Sequence, residues 1–258
     1  LGLYIIQDGG SPLNEEALAK AFNLSPEDAE HAYATLPQPY AMSANPIYLH
    51  RDGRHILIDV GSGEMSEGKL LVELAALGVA PEHIDMVIIT HLHHDHFGGL
   101  RRADGRASFP NAHVYVAQSE WAHWVESGKA PVERVELLKQ VFALYDGRVH
   151  YYQHGEELAS GLTMQALTGH TPGHHGVLFE SKGKRALHIV DALHVPIQFA
   201  SPDLSPIYDV DPVQSAQTRR LMFERAANTH LLTLSYHLAF PGLGYIARKG
   251  EAFVWQPV

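Results

Sequence analysis

Five residues, Met86-Val87-Ile88-Ile89-Thr90, form an apolar run that ends directly on His91-Leu92-His93-His94-Asp95-His96. A continuous apolar run bounded by polar residues marks a strand buried on both faces. Such a strand needs neighbours in a sheet and helices over its faces, which constrains the chain to a layered α/β architecture. It also sets four metal-ligating residues, His91, His93, Asp95 and His96, on a loop at a strand end, where layered proteins place their chemistry. His91 and His93 are two apart and point the same way in extended chain. Asp95 and His96 lie where the chain turns into Phe97-Gly98-Gly99, a turn that glycine takes at low steric cost. Imidazole and carboxylate suit Zn, Mn, Fe or Co. This many ligand types so close together fit two adjacent cations better than one, because a single catalytic metal needs only three protein ligands.

The remaining pattern alternates strands and helices. Leu3 to Ile6 reads as a strand before a turn at Asp8-Gly9-Gly10. Residues 11–43 read as a helical insertion, whose second helix starts at Ser25 as N-cap with Pro26 at the first helical position. A hairpin is expected across Arg51-Asp52-Gly53-Arg54, then a helix over 66–77 stopping at Gly78. Strands follow at 114–116, 162–166, 177–180, 186–190, 231–235 and 245–254, with helices near 118–127 and 132–145. A Pro-rich loop runs from Pro196 to Asp211, and Asp211-Pro212 opens the last long helix, to about Ala226. Length and pattern predict one domain over 1–258.

Composition narrows the function classes. The net charge of −10 disfavours nucleic acid, whose affinity rests on Lys and Arg. No apolar run approaches the length that spans a bilayer. There is no cysteine, hence no disulfide, no thiolate ligand and no Cys nucleophile. These features predict a cytoplasmic protein acting on a small molecule, although the chain opens at Leu1 and leaves room for an upstream leader. The 19 histidines are the unusual count, and they are spread along the chain.

The string Thr90 to His96 resembles the HxHxDH signature of the metallo-β-lactamase superfamily. Leu57-Ile58-Asp59-Val60-Gly61 is similar to that family's LIDTG strand end, and Gly169-His170-Thr171-Pro172-Gly173-His174 to its GHTPGH turn. Asp191 after a strand and His237 after 231–235 follow in the family's order. The resemblance implies an αββα sandwich of two mixed sheets with outer helices. It implies two divalent cations, zinc foremost. One would be held by His91, His93 and His170, the other by Asp95, His96 and His237, with Asp191 and a hydroxide bridging both. Asp95, Asp191 and His237 would form the catalytic core, and Asp59 would orient a ligand histidine. A metal-activated water is a nucleophile at neutral pH, and the cation polarises the scissile carbonyl or phosphoryl group.

Within the superfamily the missing cysteine excludes the β-lactam-cleaving enzymes with a Cys ligand. Residues 110–116 with Glu120-Trp121, and 235–242, resemble the branch of N-acyl homoserine lactonases and methyl parathion hydrolase. That branch implies a lactonase or esterase of quorum-quenching type, with phosphotriester hydrolysis as the alternative and a homodimer as the assembly. An iron-dependent sulfur dioxygenase is the alternative of another class. Candidate substrate-pocket residues are Phe97, which abuts the ligand loop in sequence, Trp124, which resembles in position an aromatic of the methyl parathion hydrolase pocket, and Phe199, because pockets are largely apolar with few polar groups. Tyr208 and Tyr236 are candidates to hydrogen-bond a substrate oxygen or leaving group. His94 reads as surface or as support behind the ligands, His174 and His175 as packing, and His113, His123, His188, His194 and His230 as structural.

Overall fold

A computed structural model describes residues 2–258. In chain order the elements are β1 (Gly2–Ile5), β2 (Gly9–Pro12), α1 (Glu15–Phe22), α2 (Pro26–Ala34), β3 (Ala41–Ala44), β4 (Ile47–Arg51), β5 (Arg54–Ile58), α3 (Leu70–Ala76) and β6 (Met86–Ile89). Next come α4 (His94–Phe97), β7 (His113–Ala117), α5 (Gln118–Trp121), α6 (Val132–Ala143), β8 (Val149–Tyr152), β9 (Glu157–Ala159), β10 (Leu162–Ala166) and β11 (His175–Ser181). The chain closes with β12 (Lys184–His188), α7 (Ile197–Ala200), α8 (Pro212–Thr229), β13 (Leu232–Leu234), β14 (Leu243–Lys249) and β15 (Ala252–Pro257). The fold is mixed α/β, and its two large sheets both mix parallel and antiparallel pairs, as expected. The chain divides into two compact units, Leu1–Gly9 with Ala44–Glu156, and Gly10–Ser43 with Glu157–Val258.

The first unit is built on a six-stranded sheet of order β1-β4-β5-β6-β7-β8. β6 pairs in parallel with β5 on one side and β7 on the other, and all four of its residues are buried. That is why the run is apolar throughout rather than alternating. Each fully buried Val or Ile side chain contributes about 1.5–3 kcal/mol to such a core. Because β5 and β6 are parallel, their C-terminal ends lie side by side, and Asp59 and His91 follow within two residues of those ends.

The second unit is built on a seven-stranded sheet of order β15-β14-β13-β12-β11-β10-β9, with β12 and β13 parallel. Asp191 follows the C-terminal end of β12, and His237 follows that of β13. β11 runs antiparallel to β12, so the 170–174 turn that precedes β11 reaches the same end of the sheet. Topology alone thus gathers His170, Asp191 and His237.

Capping explains the helix starts. Asn14, Ser25 and Asp211 each accept a backbone N–H of the first turn, from Ala17, Asp28 and Gln214. The helical insertion packs its Leu18, Phe22 and Leu36 against Val195 and Ile197 of the same unit.

Several elements differ from expectation. The turn at Asp8-Gly9-Gly10 is instead the start of β2, recruited by pairing with β3. The helix expected from Ser66 begins at Leu70, because Glu67 takes a left-handed φ of 60° and breaks the spiral. The Asp8 carboxylate then receives the Leu70 N–H at 2.7 Å, acting as a remote cap. The strand expected at 245–254 is the hairpin β14–β15, turned at Gly250 with φ 62°. β8 and β9 carried no clear period and went unread. No helix among the described residues is long and apolar enough to cross a membrane.

Candidate metal centre

In the first unit the loop after β6 carries His91, His93, Asp95 and His96. The rings of His91 and His96 have centroids 4.0 Å apart, and those of His91 and His93 4.8 Å apart. Asp59 stands behind this array, fully buried. Its Oδ1 accepts the Thr90 N–H at 2.8 Å, and its Oδ2 accepts the Thr90 hydroxyl at 2.8 Å and the His96 Nδ1–H at 2.8 Å. Donation through Nδ1 leaves Nε2 of His96 directed forward, 3.6 Å from Asp95 Oδ2. Asp59 does this at φ 56°, a left-handed conformation that Asp tolerates better than most residues.

The same loop is clamped at its midpoint. Glu120, fully buried, accepts the Leu92 N–H at 2.9 Å and the Trp124 Nε1–H at 2.6 Å. Arg134 donates to the Leu92 carbonyl and lies 3.9 Å over the Trp124 ring. The glycines after the loop serve close approach rather than a turn. Neither Gly98 nor Gly99 has positive φ, but a Cβ on Gly99 would sit 1.9 Å from the Val60 carbonyl. That closeness lets Val60 N–H reach the His96 carbonyl at 2.9 Å.

In the second unit three imidazoles surround one carboxylate oxygen. Asp191 Oδ2 lies 3.3 Å from His170 Nε2, 3.4 Å from His194 Nε2 and 3.1 Å from His237 Nε2. Two of these rings are held from behind through Nδ1: His170 by Asp209 Oδ1 at 2.8 Å and His237 by the Ser43 carbonyl at 3.0 Å. The Asp191 backbone N–H is taken by His174 Nε2 at 3.1 Å, while His174 Nδ1 meets the Leu167 carbonyl at 2.8 Å. Asp191 follows Val190, whose φ of 49° is strained for a β-branched residue.

This donor set fits a cation. Neutral imidazoles that donate through Nδ1 present bare lone pairs at Nε2. Two such lone pairs aimed at a carboxylate oxygen repel it unless a proton or a metal ion lies between them. Carboxylate- or carbonyl-backed imidazoles are the usual way proteins hold metal-ligating histidines. Burial alone would deprotonate His170, but the hydrogen bonds and charges of Asp191 and Asp209 outweigh it and push its pKa up to about 9. His194 shifts the other way, down to about 4, because burial dominates and only Asp191 opposes it, with His170 and His237 repelling its charge. His194 is therefore uncharged at neutral pH.

Asp191, His194 and His237 each offer a ligand atom within 4.8 Å of the others. Sequence reading assigned His194 a structural role and missed it here. Its position three residues after Asp191 was the available signal. Asp209, in the Pro-rich loop, gave no signal at all. His174 is a brace on the Asp191 backbone. His94 is exposed, as expected.

Four of the substrate-site candidates separate. Phe97 is 1% exposed and packs within the apolar core of the first unit. Phe199 is 3% exposed and stacks between Phe223 and Trp255, 5.0 and 5.6 Å between centroids. Trp124 is half-buried, with its ring 5.8 Å from His93. Tyr208 is 52% exposed, with its ring 6.4 Å from that of His194. Trp124 and Tyr208 are thus the two that stand beside ligand-type histidines and meet solvent.

A family model described as the Metallo-beta-lactamase superfamily matches residues 40–232. The chain is 23% identical over 198 residues to the Probable metallo-hydrolase Rv2300c of Mycobacterium tuberculosis, covering 68% of this chain and 61% of that protein. It is 27% identical over 134 residues to an N-acyl homoserine lactonase of Bacillus cereus, covering 52% of this chain and 48% of the lactonase. The chain thus spans about three-fifths of the first relative and half of the second. Among solved structures, the hydrolase AbOPH of the beta lactamase superfamily superposes with a TM-score of 0.87 at 29% identity, over 99% of this chain and 94% of that one. The dizinc quorum-quenching lactonase AidC gives 0.89 at 23% identity, with the same coverage of both chains.

Proposed function

From the premise that the chain belongs to the metallo-β-lactamase superfamily, we propose that it is a metal-dependent hydrolase of lactones or related esters. The observation that carries the reading is the convergence of His170, His194 and His237 on one oxygen of Asp191, with two rings braced through Nδ1. In this reading His91, His93, Asp95 and His96 of the first unit would serve as metal ligands, and so would His170, Asp191 and His237 of the second. Two bound divalent cations, zinc foremost, would supply Lewis acidity and an activated water at neutral pH.

The chain's own residues do the rest. Asp59 and Asp209 keep His96 and His170 in the tautomer that presents Nε2. Oxygen and nitrogen ligands without thiolate fit hydrolysis by hard or borderline ions. Trp124, beside His93, and Tyr208, beside His194, each offer an amphipathic surface for an acyl chain or ring. The lactonase names among relatives and fold neighbours favour a homoserine-lactone-like substrate over a phosphotriester.

The test is kcat/KM for a homoserine lactone series beside methyl paraoxon, on zinc-loaded protein. A value above about 10⁴ M⁻¹s⁻¹ on lactones, the low end for evolved enzymes, with far less on paraoxon, is expected. The reverse order would assign a phosphotriesterase. No turnover of either by protein holding metal would overturn the hydrolase reading.

A further inference from the structure

Arg219 on α8 is the bulkiest fully buried side chain among the described residues. A guanidinium has five N–H donors in a fixed fork and stays charged when buried. Here every donor-bearing nitrogen is engaged. Nε donates to the Ala192 carbonyl at 2.7 Å. Nη1 donates to the carbonyls of Pro202 at 2.6 Å and Leu204 at 3.0 Å. Nη2 donates to Ser215 Oγ at 3.0 Å and Asp209 Oδ2 at 3.4 Å.

Two of these acceptors lie one step from the cluster on Asp191. Ala192 is the next residue after Asp191. Asp209 holds Arg219 through Oδ2 and His170 Nδ1 through Oδ1. The 209–211 segment also pairs its backbone with that of His170, Val210 N–H to the His170 carbonyl and Asp211 N–H to the Gly169 carbonyl, both at 2.9 Å. α8 packs so closely on this turn that a Cβ on Gly169 would meet Ser215 N at 2.2 Å. One buried fork therefore ties the segments that carry two ligand-type residues to a single helix.

We propose that Arg219 is a positioning residue of the metal centre, fixing Asp191 through the Ala192 carbonyl and His170 through Asp209. The inference rests on the metal-binding reading above. An arginine that merely knitted the 202–209 loop would contribute to folding alone. An arginine that orients ligands changes how tightly and with what geometry a metal is held. Loss of an outer partner of a metal ligand typically lowers affinity by about 10–100-fold.

The experiment compares the full chain with Arg219→Met, Arg219→Lys and a core control on the same helix, Phe223→Leu. Zinc affinity is read by chelator competition, coordination by the visible absorption of the Co(II)-loaded protein, and stability by thermal unfolding. Arg219→Met is expected to bind zinc at least tenfold more weakly and to show shifted Co(II) bands. Arg219→Lys, which keeps the charge but loses the fork, should fall between it and the wild type. Phe223→Leu should lower Tm and leave zinc affinity and spectrum unchanged. Arg219→Met with wild-type affinity and spectrum at a lowered Tm would overturn the inference. Should the Met variant fail to fold, wild-type values in Arg219→Lys overturn it equally. A wild-type chain that takes up no zinc would defeat the metal reading itself, and this inference with it, before any variant is compared.

Discussion

Glu120 holds Leu92 at the centre of the histidine loop: its Oε1 receives the Leu92 N–H at 2.9 Å while also receiving the Trp124 indole N–H at 2.6 Å. A side chain that is itself no ligand type in the motif therefore fixes the residue between His91 and His93. Removing it strands the buried Leu92 N–H, at a cost of about 1–3 kcal/mol, and the half-buried Trp124 indole N–H, at a smaller one. Glu120→Ala is expected to lower Tm by about 6–10 °C at roughly 2–4 °C per kcal/mol. Glu120→Gln keeps an acceptor oxygen and should lose less than half of that. Equal losses in a calorimetric comparison would contradict this assignment.

Asp59 offers a cleaner separation of charge from shape. Asparagine tolerates its φ of 56° and can still accept the Thr90 N–H. It cannot hold the His96 Nδ1–H as a carboxylate does. Asp59→Asn should fold with nearly wild-type Tm and bind zinc about 10–100-fold more weakly. Unchanged affinity by chelator competition would show that Asp59 does not orient His96 in the working protein.

His194 is the residue whose role differs most from its sequence reading. It is buried at 3% and stacked on His237, with centroids 5.2 Å apart and planes 12° apart. It lies outside the seven expected ligands. His194→Ala is therefore expected to keep the metal content of the wild type and to lose about tenfold or more in kcat/KM. Loss of one metal equivalent, measured by elemental analysis, would instead make it a ligand.

Alkaline stability depends on buried phenols. Tyr145 donates to the Leu100 carbonyl at 2.8 Å and receives the Phe109 N–H at 3.3 Å. Burial, opposed by the Phe109 N–H and the nearby Arg148, pushes its pKa up to about 12. Between pH 10 and about 12 the unfolded chain gives up this proton while the folded chain keeps it. The folded state then binds more protons, so stability falls as pH rises. The contribution is on the order of 3 kcal/mol across that window. Tyr145→Phe should be less stable than wild type at pH 8 yet show a shallower decline from pH 10 to 12 in urea unfolding. Parallel declines would refute the attribution.

The two architectures of the site differed in how openly the sequence declared them. The strand at β6 and its histidine loop were legible because burial on both faces leaves an unbroken apolar run. The start of α2 was legible because Ser25-Pro26 is local chemistry. What supports the ligands was mostly hidden, since it depends on pairing across long separations. Asp209 meets His170 across 39 positions, and Ser43 meets His237 across 194. No period or local motif encodes such a contact. Phe97 and Phe199 show the reverse error. Being next to the chemistry in sequence, or aromatic in a Pro-rich loop, does not place a ring in a pocket when the nearest unfilled volume is the core.

The helical insertion ends on Ser43, whose carbonyl accepts His237 Nδ1–H, whose N–H meets the His237 carbonyl at 3.2 Å, and whose hydroxyl receives the Phe240 N–H at 3.1 Å. Residues 11–43 and the 237–240 loop are thus two halves of one joint, far apart in the gene. Evolution and protein engineers alike face the same bookkeeping: neither stretch can be exchanged between relatives alone. A chimera that imports one without the other inherits a mismatched hinge, and the transferable unit is the pair.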